Sequence, residues 1–99
     1  MFARNIRDFV KTLPRTVSNI EYVKQIIRSS GSIAANYIEA SECLSKKDFL
    51  MRIKISRKEA KETRLWLRLI ENESKEKEKL LQEVNELMKI FGSIVTKSS

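Results

Sequence analysis

Proline and glycine are almost absent from this chain of 99 residues, since Pro14 is its only proline and it contains two glycines. A β fold needs such residues at its many turns, whereas they interrupt long helices. Apolar residues also recur at intervals of three and four along most of the sequence, which is the spacing of an amphipathic α-helix. The sequence therefore predicts an all-α protein.

Four helices joined by short polar segments are expected. Pro14 lacks an amide hydrogen and restricts the backbone of Leu13, so the first helix is predicted to be short and to end there. Short joints favour antiparallel neighbours. We expect a single domain, residues 1–99, that folds as an antiparallel up-and-down four-helix bundle. The predicted helices span about residues 2–13, 18–43, 46–72 and 75–97.

Three of the helix starts carry capping signals. Ser18 or Asn19 is available to cap the second helix. Ser45 is followed three residues later by Asp48, whose carboxylate suits the positive end of a helix dipole. Ser74 is expected to cap the fourth helix.

The buried faces of the two middle helices are predicted from heptad-like spacing. In the second helix the expected seam is Ile20, Val23, Ile27, Ser30, Ala34, Tyr37 and Ser41. In the third helix the expected inward face is Phe49, Ile53, Ser56, Ala60, Thr63, Leu67 and Ile70. Small residues around Gly31 are expected to let another helix approach closely.

The residue inventory argues against catalysis. The sequence has no histidine, which removes the usual general base and the usual metal ligand. It also lacks a glycine-rich phosphate loop and a cysteine pair for zinc, and Cys43 is interpreted as an unreactive thiol. We therefore expect a protein that is not an enzyme and that uses no cofactor and no metal.

The expected cellular location follows from the absence of a membrane-spanning segment and of a secretory signal. No segment approaches the roughly 18 consecutive apolar residues of a membrane-spanning helix. The N-terminal residues do not read as a secretory signal, and one cysteine cannot form an intrachain disulfide. The expected location is the cytoplasm, without a membrane partner.

The excess of positive charge lies in the first and third helices and in part of the second, and the third helix presents it on its outward face. The chain carries a net charge of +7, which favours polyanionic partners such as nucleic acid. Several basic side chains fall nearly in one line on the outward face, where they form a basic stripe that could contact backbone phosphates; a solvated helix face is the alternative. No aromatic residue is interleaved for base stacking. The candidate nucleic-acid-binding residues are Lys46, Lys47, Lys54, Arg57, Lys58, Lys61 and Arg68.

A second set of residues is assigned to a polar network or an oligomer interface. A polar line on the second helix is expected to meet carboxylates of the third helix and to fix helix register or a subunit contact. A carboxylate metal site is the weaker alternative, because its usual histidine is absent. Apolar residues outside the main face of the third helix favour self-association. The assigned residues are Arg28, Ser32, Asn36, Glu39, Glu59, Glu62 and Trp66.

The middle of the chain also carries a family resemblance. Residues 25–39 read QIIRSSGSIAANYIE, and residues 40–71 read ASECLSKKDFLMRIKISRKEAKETRLWLRLIE. These blocks resemble the four-helix bundle protein family, whose members are often encoded within intervening sequences of 23S ribosomal RNA genes. The resemblance extends from Ile6 to about Ile94.

That resemblance implies an antiparallel four-helix bundle with a basic surface that assembles as a ring, typically a homopentamer. The family is similar in fold to the accessory protein of diversity-generating retroelements, which binds nucleic acid and partners a reverse transcriptase. No catalytic residues are implied. The leading hypothesis is a non-enzymatic, oligomeric bundle that binds RNA or DNA through backbone phosphates. The alternative is a protein–protein interaction adaptor with no nucleic-acid role.

Overall fold

A computed structural model describes residues 1–98, and these residues form four α-helices. The second helix packs on the third, the third on the fourth, and the short first helix on the second and fourth. Consecutive helices with short loops that pack in this way form an up-and-down bundle, which measures 44 × 19 × 19 Å. The fold prediction is confirmed, including the short first helix. The helices are α1 (Phe2–Val10), α2 (Val17–Ser41), α3 (Lys46–Leu69) and α4 (Lys75–Ser98).

The first helix ends at Val10, three residues earlier than predicted. The amides of Thr12 and Leu13 bond to the carbonyls of Phe9 and Val10, three residues back, instead of continuing the α-helical ladder. The Thr12 hydroxyl also donates to the Phe9 carbonyl at 2.7 Å. Both contacts tighten the chain into a turn before Pro14, whose ring excludes helical geometry at the preceding residue.

The predicted cap of α2 is wrong, because the cap is Thr16. Its Oγ1 accepts a hydrogen bond from the Asn19 amide at 3.1 Å. Asn19 is buried, and its Nδ2 donates to the Pro14 carbonyl at 3.1 Å. Asn19 therefore holds the loop against the helix, while Ser18 is exposed.

The other two predicted caps are confirmed. Ser45 Oγ accepts from the Asp48 amide at 3.1 Å, and Ser74 Oγ accepts from the Lys77 amide at 3.2 Å. The predicted C-terminal ends of two helices are too late. α2 ends at Ser41 instead of residue 43. α3 ends at Leu69 instead of residue 72, because Ile70 has extended backbone geometry.

The inward face of α3 is confirmed, whereas the seam predicted for α2 is wrong except at Ser30, which is buried as predicted. Six of the seven predicted α3 positions are buried, and Phe49 is half-buried. On α2 the predicted Ile20, Ile27 and Tyr37 are exposed. The burial of α2 is centred about one residue earlier in each heptad, because polar side chains there find hydrogen-bond partners inside the bundle. The buried residues of α2 are Asn19, Ile26, Ser29, Ser30, Ile33 and Ala40.

The expected packing role of Gly31 is also wrong. A Cβ atom added at Gly31 would meet nothing within 4 Å, so no helix of this chain approaches it closely. The small residues that do allow close packing between α2 and α3 are serine and threonine. Ser29 Oγ lies 2.7 Å from Thr63 Oγ1, and Ser56 Oγ donates to the Ile33 carbonyl at 3.1 Å.

A buried lysine closes the joint between α3 and α4. The Lys77 ammonium donates to the Ile70 carbonyl at 2.8 Å and lies 3.8 Å from a Glu73 carboxylate oxygen. Only 7% of Lys77 is exposed, so these two partners replace most of its water. Within residues 1–98 no helix is both long enough and apolar enough to cross a membrane.

Candidate nucleic-acid interface

The predicted basic residues of α3 form one exposed ridge. All seven are exposed, in agreement with their placement opposite the buried face of the helix. Lys47, Lys54, Lys61 and Arg68 follow one another at intervals of seven residues. Each interval is two helical turns, or about 10 Å along the axis, so the ridge runs for roughly 30 Å. Its length follows the long dimension of the bundle.

None of these seven cations is neutralised within the part of the chain that the structure describes. The ion pairs among residues 1–98 involve other basic residues. Glu59 and Glu62 stand among the lysines in the sequence, but the structure pairs both with Arg28 at the α2 side of α3. The ridge therefore projects a positive field into solvent.

Apolar side chains share this outward face. Met51, Leu65 and Leu69 are 47%, 48% and 41% exposed, while Leu50 and Ile55 are half-buried. Trp66 turns away from the ridge, since its ring lies 6.2 Å from that of Tyr22 on α2. The ridge thus offers cations and aliphatic side chains to a partner, without an aromatic ring.

The second predicted set lies mainly between α2 and α3. Arg28 Nη1 contacts Glu59 Oε2 at 3.2 Å, and Arg28 Nη2 contacts Glu62 Oε2 at 3.6 Å. The Glu59 side chain is 8% exposed and the Arg28 side chain 51%. This contact links two helices of one chain across its partly buried edge.

Burial of Glu59 has an electrostatic consequence. Desolvation raises the pKa of the Glu59 carboxyl above its ordinary value, and a hydrogen bond with Glu62 and the negative charge of Glu62 act in the same direction. The positive charges of Arg28 and Lys58 oppose this increase. The raised pKa means that burial and the neighbouring carboxylate outweigh the two cations.

The remaining polar residues form a separate group toward the C-terminal end of α2. Asn36 Nδ2 donates to the Ser32 carbonyl at 2.9 Å and lies 3.1 Å from Ser32 Oγ. Asn36 Oδ1 accepts from Arg52 Nη1 at 3.1 Å. The Glu39 side chain is exposed and outside this group, and its backbone carbonyl accepts from Cys43 Sγ at 3.1 Å. No group of three His, Cys, Asp or Glu residues within 1–98 could hold a metal ion.

Two cations that the sequence reasoning missed lie beside the ridge, Arg64 on α3 and Lys89 on α4. Arg64 and Lys89 join Arg57 along a groove between α3 and α4, hereafter the α3–α4 groove. Arg64 Nη1 donates to Asn85 Oδ1 of α4 at 3.1 Å. The available signal was the seven-residue interval between Arg57 and Arg64, which places both on the same side of the helix.

Comparison with known proteins identifies relatives of this bundle. Residues 1–96 match the family described as 23S rRNA-intervening sequence protein. The structure is similar to that of a protein of unknown function from the S23 ribosomal protein family of Bacteroides thetaiotaomicron VPI-5482. That similarity has a TM-score of 0.82 and 34% sequence identity, and it covers 95% of this chain and 91% of the other. Comparison with curated proteins gave no match. The chain therefore belongs to the family of 23S rRNA-intervening sequence proteins.

Proposed function

We propose that this protein is a non-enzymatic, cytoplasmic, oligomeric bundle that binds RNA or DNA through backbone phosphates along the outward face of α3. The observation that carries the proposal is the unpaired state of the ridge. Seven cations lie exposed on one helix face, and none forms an ion pair within residues 1–98. A regular array of unneutralised cations suits a ligand with regularly spaced negative charges.

The composition of the ridge favours backbone contact over sequence recognition. Phosphate contacts need cations, whereas recognition of single-stranded bases uses aromatic stacking platforms. Trp66 is half-buried against Tyr22 and is not presented beside the lysines. We therefore expect affinity that depends strongly on salt and only weakly on sequence.

The family supports the same class of partner. The accessory protein of diversity-generating retroelements, to which the family is similar in fold, binds nucleic acid and partners a reverse transcriptase. The same resemblance implies a ring of identical copies, typically five, and names a reverse transcriptase as a protein partner to test.

Exposed apolar residues support the oligomeric part of the proposal. Tyr37 and Ile38 on α2 and Ile90 on α4 are 51%, 61% and 53% exposed, in addition to the aliphatic residues on α3. Tyr37, Ile38 and Ile90 line one depression together, and a contiguous apolar patch is typical of an interaction surface. Light scattering across a concentration series tests this part, and a monomer at every concentration would contradict it.

The binding experiment uses a labelled structured RNA and a duplex DNA over a salt series. The triple variant K54Q/K58Q/K61Q should bind more weakly, and its plot of log affinity against log salt should be flatter by about one unit for each phosphate that is no longer neutralised. The matched control K75Q/K79Q/K97Q removes the same charge from exposed positions of α4. Equal effects of the two triple variants would remove the ridge from the proposal.

The adaptor function remains the second candidate, and the aliphatic residues on the ridge favour it. Met51, Leu65 and Leu69 would meet an apolar partner surface better than a phosphate backbone. If this candidate is correct, neither nucleic acid binds at low salt, and a protein partner captured from cells survives nuclease treatment.

A further inference from the structure

We propose that the α3–α4 groove is a phosphate-binding site in which Arg57, Arg64 and Lys89 hold one phosphate-bearing segment of the ligand. The inference deepens the proposed function and, for a polymeric ligand, rests on it. The ridge then supplies a general positive field, while the α3–α4 groove supplies a defined position for the ligand.

Three cations converge on this groove from two helices. Arg57 and Arg64 are two turns apart on α3, and Lys89 faces them from α4. The other residues that line the groove are Asn85, Met88 and Gly92. None of the six is acidic, and none of the three cations is in an ion pair within the described residues.

Arg64 is held in place without being neutralised. Its Nη1 donates to Asn85 Oδ1 at 3.1 Å, and both side chains are half-buried. An amide oxygen carries no net charge, and a guanidinium has five N–H donors, so the remaining donors of Arg64 stay available to an anion. A charged guanidinium that is held in place can bind a phosphate through two parallel hydrogen bonds, in bidentate geometry.

Gly92 on α4 leaves room for the Arg57 guanidinium. Its Cζ and Nε lie 3.7 Å from the place that a Cβ atom of Gly92 would occupy. The guanidinium therefore lies beside Gly92 at a distance that accommodates a methyl group. A long side chain at this position would occupy the space of the guanidinium and move it out of the groove.

The groove is continuous with the ridge, which indicates a polymeric ligand. Lys54, Arg57, Lys61, Arg64 and Arg68 follow one another at intervals of three and four residues. Residues at this spacing are neighbours along one helix face. A phosphodiester chain held in the groove would continue onto the ridge, whereas a single small anion would fill the groove alone.

The test compares two double variants in nucleic-acid binding. R64Q/K89Q should lower the affinity for RNA or DNA by about tenfold or more and reduce the salt slope by about two units. K75Q/K79Q removes two charges from the exposed side of α4 and should lower the affinity much less. Thermal unfolding of each variant checks that the fold is kept.

A charge-neutral pair of variants tests the geometry separately. Gly92→Leu should displace Arg57 and weaken binding several-fold, although no charge changes. Gly92→Ala places a methyl group at ordinary contact distance and should leave binding unchanged. If R64Q/K89Q behaves as K75Q/K79Q does, the groove is not the site, and the proposed function stands on the ridge alone.

Inorganic pyrophosphate distinguishes a small anion from a polymer. NMR titration of the wild type should shift the backbone amide of Gly92 in a saturable way, and R64Q/K89Q should lose this shift. Pyrophosphate binding without any binding of nucleic acid would keep the groove as a phosphate site and overturn the proposed function. No response to either ligand would overturn both.

Discussion

Arginine residues on the two sides of α3 have opposite surroundings. On the α2 side, Arg28 contacts the carboxylates of Glu59 and Glu62. On the α4 side, Arg57 and Arg64 meet no carboxylate within the described residues. Arg28 forms ion pairs between α2 and α3, whereas Arg57 and Arg64 keep their charge available to a ligand. The groups around an arginine, more than its exposure, therefore separate a structural role from a binding role.

The largest expected effect comes from removing the α2-side cation. Arg28→Ala leaves Glu59 buried without its ionic partner and should lower the free energy of unfolding by about 2 kcal/mol. Arg64→Ala should lower it much less and weaken nucleic-acid binding instead. Urea denaturation and binding measurements on both variants test the contrast. Equal losses of stability would abolish the distinction between the two sides.

The hydroxyl contacts between α2 and α3 come next in size. Thr63→Val keeps the shape of the side chain but removes its hydrogen bonds to Ser29 and to the Glu59 carbonyl. We expect a loss of about 1 kcal/mol, again measured in urea. Ser93→Ala, at an exposed position of α4, is the control and should change stability by less than about 0.5 kcal/mol. If Thr63→Val left the free energy of unfolding unchanged, close packing alone would hold α2 and α3 together.

The stability of the bundle should depend on pH through Glu59. Because the pKa of Glu59 is raised by burial and by Glu62, the folded state binds more protons than the unfolded state at pH values just above the ordinary carboxyl pKa. The contribution of Glu59 to stability is therefore most favourable below that value and declines as pH rises through the raised pKa. Glu59→Gln should remove this decline. Parallel stability curves for wild type and variant between pH 4 and pH 7 would contradict the assignment.

The smallest expected effect lies on the α4 side. Gly92→Ala replaces a helix-destabilising residue inside α4, and the new methyl group meets only the flexible Arg57 side chain at 3.7 Å. Thermal unfolding should show a gain of about 0.5–1 kcal/mol. A loss of stability would mean that the space beside Arg57 is tighter than this distance indicates.

The sequence predicted α3 better than α2, and the reason is physical. The apolar repeat of α3 faces the core directly, so Ile53 and Leu67 are buried where the spacing places them. On α2, Asn19 is buried because it donates a hydrogen bond to the carbonyl of Pro14 in the preceding loop. Ser29 is buried because its hydroxyl bonds to that of Thr63 on α3. A pattern of apolar spacing predicts that such polar residues are exposed. It therefore places the neighbouring Ile20 and Ile27 in the core, although both are exposed.

The ridge of the candidate site was predictable from the sequence, whereas the α3–α4 groove was not. The exposure of Lys47, Lys54 and Lys61 follows from helical geometry once the buried face of α3 is known. The α3–α4 groove depends on the pairing of two helices, which no single helix pattern specifies. Arg64 and Lys89 therefore became visible as neighbours only in the folded chain.

The brevity of α1 has a consequence for motion in the bundle. It buries Ile6 and Phe9, and its side-chain hydrogen bond to α4 is a long one, from Asn5 to Glu83 at 3.5 Å. Helices with few buried contacts open at a lower free energy than the rest of a protein. Amide protons of α1 should exchange with solvent well before those of α2 and α3. In this partial opening, α1 detaches while the other helices stay together, and it precedes global unfolding.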